Sequence, residues 1–389
     1  MKNWLFFSLW LAFSGCWGKD TTQKGQLLLG AERIDVIVPK LAGKRVGMVV
    51  NHTSMVGSVH LVDTLLRRQV TIQTIFAPEH GFRGTADAGE VIRDGRDPKT
   101  QLPIVSLYGK NKKPTPEQIK NLDVIVFDIQ DVGVRFYTYI STMFYVLQAA
   151  AEQGKEVIVL DRPNPNGHYV DGPVLEKGFE SFVGIAPIPV VHGMTVAELA
   201  NMFNQEGWLG VGKTAQLSVV PCLNYNRNQI FEPSIRPSPN LPNIQSIWLY
   251  PSLCFFEGTQ ISLGRGTPFP FQVYGGESTR YGSFQFTPQD TPGAMNPPLE
   301  GKLCYGADLR QVQARDLKFS LKYLLETFQK TPSPADYFLK TNHFNLLAGN
   351  AWLKEMILAG ANEEAIRRAW TPGLEAFKQT RKKYLIYAE

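Results

Sequence analysis

The sequence predicts an α/β protein: a Rossmann-like parallel sheet domain followed by a smaller α+β domain. Three observations lead there. Continuous apolar runs alternate with helix-patterned segments between residues 45 and 160, the rhythm of βαβ units and of a parallel sheet covered on both faces. From about Thr195 that rhythm gives way to Pro-rich and aromatic loops, short strands and then helices. The 389 residues, 43% hydrophobic and 19% charged, are ordinary globular composition and long enough for two domains.

The elements follow in order. Residues 45–51 (RVGMVVN) form a buried strand, and residues 60–68 carry apolar pairs at 61/62 and 65/66, a helical spacing. Residues 70–76 make the next strand, 104–107 a short one ending at Tyr108-Gly109, and 123–129 (DVIVFDI) another. A helix is expected over 139–153 with Gly154 as its C-cap, then a strand over 156–160. Thr195 reads as an N-cap with Glu198 completing a capping box for a helix to 205. Short strands at 217–220 and 284–286 and helices at 319–329, 350–359 and 362–380 complete the chain. The expected division is a Rossmann-like catalytic domain over 32–194 and an α+β domain over 195–389 that closes the cleft.

Residues 1–16 read as a targeting segment, with Lys2 ahead of an apolar stretch over 4–13 and the small pair Ser14-Gly15 before Cys16. The small-small-Cys junction resembles a bacterial lipobox, which would lipidate Cys16 and leave residues 17–31 as a tether. An ordinary secretory signal cut elsewhere has the same apolar stretch. Either way the chain is expected to leave the cytoplasm; with Cys16 lipidated, its address is the cell envelope, lipid-anchored and facing the periplasm or outer membrane. No later stretch approaches the ~18 apolar residues of a spanning helix.

The formal net charge is +5, with basic residues scattered apart from Arg381-Lys382-Lys383, so nucleic acid is not an expected partner. No G-x-G-x-x-G follows the first strand, which argues against a dinucleotide site. The absence of a P-loop, a G-x-S-x-G elbow and an H-E-x-x-H motif argues against an ATPase, an α/β-hydrolase and a zincin; no cofactor or metal is expected. Cys222, Cys254 and Cys304 read as three buried thiols, with a single bridge between two of them as the alternative.

Each early strand runs into chargeable residues: Asn51-His52, Glu79-His80, Asp128 and Asp131, Asp161-Arg162 and Asn164. Parallel strands align their carboxyl ends on one edge, so these groups are expected to converge on one rim. Two carboxylates in one cleft suit glycoside hydrolysis, one as general acid and the other as base or nucleophile. Glu79, in Phe76-Ala77-Pro78-Glu79-His80-Gly81-Phe82-Arg83-Gly84, is the candidate acid, with Pro78 and aromatics to exclude water. The structural alternative is that Glu79 pairs with Arg83 or caps a helix. Asp128 is the candidate partner: an alternating strand sends Asp128 and Asp131 to opposite faces, one into the cleft and the other to cap a helix. Arg135 and Tyr137 are candidates to grip a substrate carboxylate or phosphate, although Arg135 serves equally as a bridge to the aspartates. His80 and His192, beside glycines in loops, read as ligand-facing; His52, His60, His168 and His343 read as surface or hydrogen-bonded. In the second half, Asn240, Glu257 and Arg265 lie on rigid polar loops suited to the far wall, with Glu257 a rival catalytic partner.

Eight blocks together resemble the exo-β-N-acetylmuramidase family of glycoside hydrolases, formerly a domain of unknown function. They are Pro78-Glu79-His80-Gly81 with Arg83-Gly84, Ser106-Leu107-Tyr108-Gly109, Phe127-Asp128-Ile129-Gln130-Asp131-Val132-Gly133, Arg135-Phe136-Tyr137-Thr138-Tyr139, Asp161-Arg162-Pro163-Asn164-Pro165, His192-Gly193-Met194-Thr195, Pro237-Ser238-Pro239-Asn240 and Gly264-Arg265-Gly266-Thr267. The resemblance runs in the same order from about residue 33 to Tyr387. It implies release of terminal, non-reducing β-1,4-linked N-acetylmuramic acid from peptidoglycan fragments, with the catalytic Glu in the P-E-H-G block, here Glu79. The lactyl carboxylate of that sugar then asks for a cation such as Arg135 or Arg265. A non-catalytic glycan-binding lipoprotein and a cell-wall amidase or esterase are the rival readings; the second half lacks the βα rhythm of a two-lobed binding protein, and no Ser or zinc signature supports the third.

Overall fold

The computed structural model describes residues 25–83 and 94–388. The targeting segment, Cys16 and most of the expected tether lie outside the described residues.

Helix α1 (Ile34–Leu41) leads into β1 (Arg45–Val50); β2 (Met55–Val56) and β3 (Val59–His60) form a small hairpin, and α2 (Leu61–Arg67) returns the chain to β4 (Thr71–Ala77). Then come β5 (Gly95–Arg96), β6 (Pro103–Ser106), α3 (Pro116–Ile119), β7 (Val124–Asp128), α4 (Tyr139–Gln153) and β8 (Glu156–Leu160). An antiparallel pair, β9 (Asp171–Val174) and β10 (Pro189–Val191), precedes α5 (Val196–Gln205) and β11 (Gln216–Val220).

Seven strands form the central sheet in the order β11-β8-β7-β1-β4-β6-β5, all parallel except the edge strand β5. Counted in chain order, the six parallel strands have the 3-2-1-4-5-6 arrangement of a doubly wound fold, with the switch point between β1 and β7. The apolar runs exist because the sheet is covered on both faces. Val46, Met48 and Val50 of β1 pack with α1 and α2, while Val49 turns to the opposite core with Phe76, Phe127 and α4. Helix α4 ends where Gly154 adopts φ +63°, as its C-cap position predicts.

The second part contains α6 (Ile244–Leu253), a 3₁₀ turn (Cys254–Gly258) and a three-stranded antiparallel sheet of β12 (Val273–Gly276), β13 (Phe284–Phe286) and β14 (Cys304–Asp308). Helices α7 (Ala314–Leu317), α8 (Lys322–Lys330), α9 (His343–Ala348), α10 (Trp352–Leu358) and α11 (Glu363–Arg381) follow. Phe127 and Met143 of the first part share one core with Phe255, Phe319 and Leu347 of the second.

The expected boundary at residue 194 falls inside the first part. Helix α5 and β11 make one more βα unit, and β11 pairs in parallel with β8 from Gln216↔Glu156 to Val220↔Leu160. A short, half-exposed edge strand does not announce which sheet it joins, so its sequence reads equally well as the start of another domain. Cys222, Cys254 and Cys304 are buried free thiols. Among the described residues no helix is long and apolar enough to cross a membrane.

Candidate active site

A cleft of about 690 Å³ opens beyond the carboxyl ends of β4 and β6, to one side of the switch point. Its first wall carries Glu79, Tyr108, Lys112, Phe136, Thr138 and Phe182; its second carries Tyr250, Glu257, Arg265, His343 and the loop of residues 294–298.

Glu79 is presented by a sharp turn. Strand β4 ends at Ala77, and the next residues include His80 at φ +66° and Gly81 at φ +75°, with Gly81 N–H donating to the Pro78 carbonyl at 3.0 Å. A left-handed conformation is costly for a histidine and persists only where its surroundings fix it. Here the His80 ring is buried with Nε2 3.2 Å from Ser238 Oγ, so a residue of the far part pins the turn. The half-buried Glu79 carboxylate then faces the cleft, where its Oε2 accepts a 2.7 Å hydrogen bond from Thr138 Oγ1 at the N-cap position of α4. The Tyr108 hydroxyl, beyond β6, also hydrogen-bonds this carboxylate; burial, reinforced by the Glu79 charge, pushes the phenol well above its usual range.

Glu257 stands on the opposite wall in the turn after α6. Arg265 Nη2 and Nε donate to its Oε1 at 2.6 and 3.1 Å, and His343 Nε2 lies 3.8 Å from Oε2. Burial alone would raise its pKa, but the Arg265 charge and the His343 contact outweigh burial and hold the carboxyl at about 2. The cleft therefore holds two carboxylates in different settings: Glu79 among hydroxyls, Glu257 against cations.

Of the remaining expected site residues, the structure brings none other than Glu257 and Arg265 to this cleft. Asp128 is fully buried in a bidentate pair with Arg162, Nε–Oδ1 2.6 Å and Nη2–Oδ2 2.9 Å, and its backbone carbonyl takes the Ser54 hydroxyl. Both carboxylate oxygens are occupied, so its expected place facing the cleft is corrected to a structural one at the switch point. Asn51 lies beside it, its side-chain oxygen accepting from Thr53 N and Oγ1. Asp131 caps the Gly133 N–H at 2.6 Å, and burial lifts its pKa to about 7. Arg135 is fully buried and grips neither an aspartate nor the cleft: Nη1 donates to the carbonyls of Pro173 and Ile188 and Nη2 to those of Leu347 and Ala348, at 2.7 to 2.9 Å. Tyr137 donates to the Pro237 carbonyl, and Asn164 bridges to the Met194 carbonyl and the Asn166 amide. His192 is buried, with its pKa pressed to about 3 by burial and then by the charges of Arg381 and Arg135. Arg83 turns to Asp97 in a bidentate pair rather than to Glu79. Asn240 sits behind the far wall, its Nδ2 donating 2.7 Å to the Gly293 carbonyl next to the lining loop.

Tyr108, Thr138, Lys112, Tyr250 and His343 also line the cleft and were not among the expected site residues. Tyr108-Gly109 and Thr138 lay in quoted blocks at the end of β6 and the start of α4, which was the available signal. His343 gave none, since a histidine between Asn342 and Phe344 reads as surface. Among the described residues no group of three or more His, Cys, Asp or Glu side chains is placed to hold a metal ion.

Residues 46–245 match the family model for exo-beta-N-acetylmuramidase NamZ, N-terminal, and residues 248–387 match its C-terminal counterpart. The junction falls after β11, consistent with the sheet. The peptidoglycan beta-N-acetylmuramidase NamZ of Bacillus subtilis (strain 168) is 41% identical over 395 residues, covering 95% of this chain and 93% of its own. Two solved structures of DUF1343 family proteins from Bacteroides fragilis NCTC 9343 superpose closely. One has a TM-score of 0.87 at 43% identity, covering 94% of this chain and 100% of its own; the other has 0.81 at 31%, covering 93% and 99%. With both family models matched in order over the fold just described, the chain belongs to the exo-β-N-acetylmuramidase family of glycosidases.

Proposed function

We propose that the protein releases terminal, non-reducing β-1,4-linked N-acetylmuramic acid from peptidoglycan fragments, with Glu79 as general acid. The observation that carries this reading is the pairing of carboxylates across one cleft, Glu79 hydrogen-bonded by hydroxyls and Glu257 held ionised by Arg265. Glu79 protonates the leaving glycosidic oxygen. Thr138 and Tyr108 fix the carboxyl's orientation, so that its proton meets the bond without a rotamer search. Glu257 supplies the negative charge that an oxocarbenium-like transition state requires, and it replaces Asp128 as the partner. Phe136, Phe182 and Tyr250 give the cleft apolar faces against which a sugar ring packs.

The same reading includes export and anchoring at Cys16, which brings the enzyme to cell-wall debris in the envelope. Radiolabelled fatty acid incorporated into the wild-type chain but not into Cys16→Ala tests that part. The activity is tested with a chromogenic β-N-acetylmuramide beside the matching β-N-acetylglucosaminide. Preferential release from the muramide is expected. Binding of the saccharide with no release from either would make the protein a glycan-binding lipoprotein, and preference for the glucosaminide would overturn the substrate.

A further inference from the structure

N-acetylmuramic acid differs from N-acetylglucosamine by a lactyl ether ending in a carboxylate. A cleft in which Arg265 is already taken up by Glu257 offers such a group no partner unless a further cation is reserved for it. Among the described residues, the basic side chains lining the cleft are Lys112, Arg265 and His343. Arg265 spends Nε and Nη2 on Glu257, and His343 lies against the other oxygen of the same carboxylate. Arg135, the other arginine suggested by the sequence, is buried against backbone carbonyls. Lys112 differs from these: among the described residues no carboxylate lies within ion-pairing distance of it, although its neighbour Lys113 pairs with Glu152 at 2.7 Å.

The position of Lys112 is built rather than incidental. Gly109 at φ +79° turns the chain after β6, Asn111 Nδ2 reaches back to the Ser106 carbonyl at 3.4 Å, and Pro114 is buried just before the Thr115 cap of α3. The half-buried Lys112 ammonium stands 4.7 Å from the centroid of the Phe182 ring. That ring lies 6.0 Å from the ring of Tyr108, whose hydroxyl contacts Glu79. A cation resting on an aromatic face on the acid's own wall keeps its charge available to an incoming anion.

We propose that Lys112 recognises the lactyl carboxylate and so separates N-acetylmuramides from N-acetylglucosaminides, an inference that rests on the function proposed above. The test uses Lys112→Met, which keeps the stem over Phe182, and Lys112→Arg, which keeps the charge. Each is assayed on the chromogenic muramide and on the same compound with its lactyl carboxylate converted to an N-methylamide. A charge-assisted contact corresponds to roughly a tenfold effect or more. K112M is expected to lower the acid-to-amide ratio of kcat/KM at least ~10-fold, mainly through KM, and K112R to restore most of it. An unchanged ratio, or equal losses on both compounds, overturns the assignment. Turnover of neither compound by the wild-type chain sinks the proposed function instead. Calorimetric binding of free N-acetylmuramic acid keeps Lys112 under test in that case: weaker binding by K112M supports the contact, and undiminished binding removes it.

Discussion

At the residue scale, the difference between Glu79 and Asp128 is one of partners. Both are carboxylates at the ends of apolar strands, but Asp128 has both oxygens held by Arg162 at the centre of the sheet, whereas Glu79 meets hydroxyls at the mouth of a cleft. Glu79→Gln keeps the shape and removes the transferable proton, so kcat is expected to fall at least ~100-fold in the muramide assay. Near-native turnover would overturn Glu79 as the general acid, since Glu257, held ionised by Arg265, has no proton to give. Asp131 carries a different consequence. Its folded-state pKa of about 7 exceeds the ordinary 3.8, so between those values the folded chain keeps a proton that the unfolded chain has lost. Its contribution is therefore fully favourable below about pH 4 and is lost as pH rises to 7. Asp131→Asn, whose side-chain oxygen still accepts from Gly133, should lose less melting temperature than the wild type between pH 5 and pH 8, by about 2 °C or more. Equal losses would show that Asp131 does not titrate there.

At the element scale, Arg135 is the clamp between parts of the molecule. One guanidinium collects the carbonyls of Pro173 in β9, of Ile188 just before β10, and of Leu347 and Ala348 at the C-terminal end of α9. Helix C-terminal carbonyls lack partners within their own helix and carry partial negative charge, which suits a buried cation. Burial without a carboxylate lowers its pKa to about 9, still charged at neutral pH. Arg135→Met should cost about 3 kcal/mol or more in urea denaturation, because four buried acceptors lose a donor. The muramide-to-glucosaminide ratio should not move, which separates a clamp from a substrate-gripping arginine. Since α9 begins at His343, loosening this clamp also loosens one side of the cleft.

At the scale of the whole molecule, the two parts are fastened by the chain's end. The Tyr387 hydroxyl donates to Asp161 Oδ2 at 2.6 Å and accepts from Cys222 N–H at 2.8 Å, while Ile386 and Tyr387 amides donate to Glu198 Oε1. Arg227 closes this network by pairing with Glu198 at 2.6 Å. The last residues thus cap carboxylates buried beyond β8 and at the start of α5. Tyr387→Phe leaves the Cys222 amide without its acceptor and Asp161 without one donor, a cost of about 2 to 3 kcal/mol. A melting temperature lowered by about 4 °C or more is expected, and an unchanged one would mean the tail does not fasten the fold.

The sequence alone determined the strands of the sheet and the turn that presents Glu79. Buried parallel strands are continuous apolar runs, so 45–51, 70–76, 123–129 and 156–160 were legible within a residue or two, and α4 was legible to its capping glycine. Glu79 was legible because a turn built on His80-Gly81 displays what precedes it. The sequence also placed the carboxyl ends of the parallel strands on one rim, as the sheet does. What it could not carry is lateral order: β1 and β7 meet at the centre of the sheet, β4 and β6 lie to one side, and the central ends are sealed into ion pairs and hydrogen bonds. Only the tertiary structure decided that Asp128 faces Arg162, that Glu257 and Arg265 arrive together opposite Glu79, and that His343 joins them. The reason is physical: a charged side chain's role is set by the partner that packs against it, and Arg265 comes to Glu257 from 8 residues along the chain while Arg162 comes to Asp128 from 34.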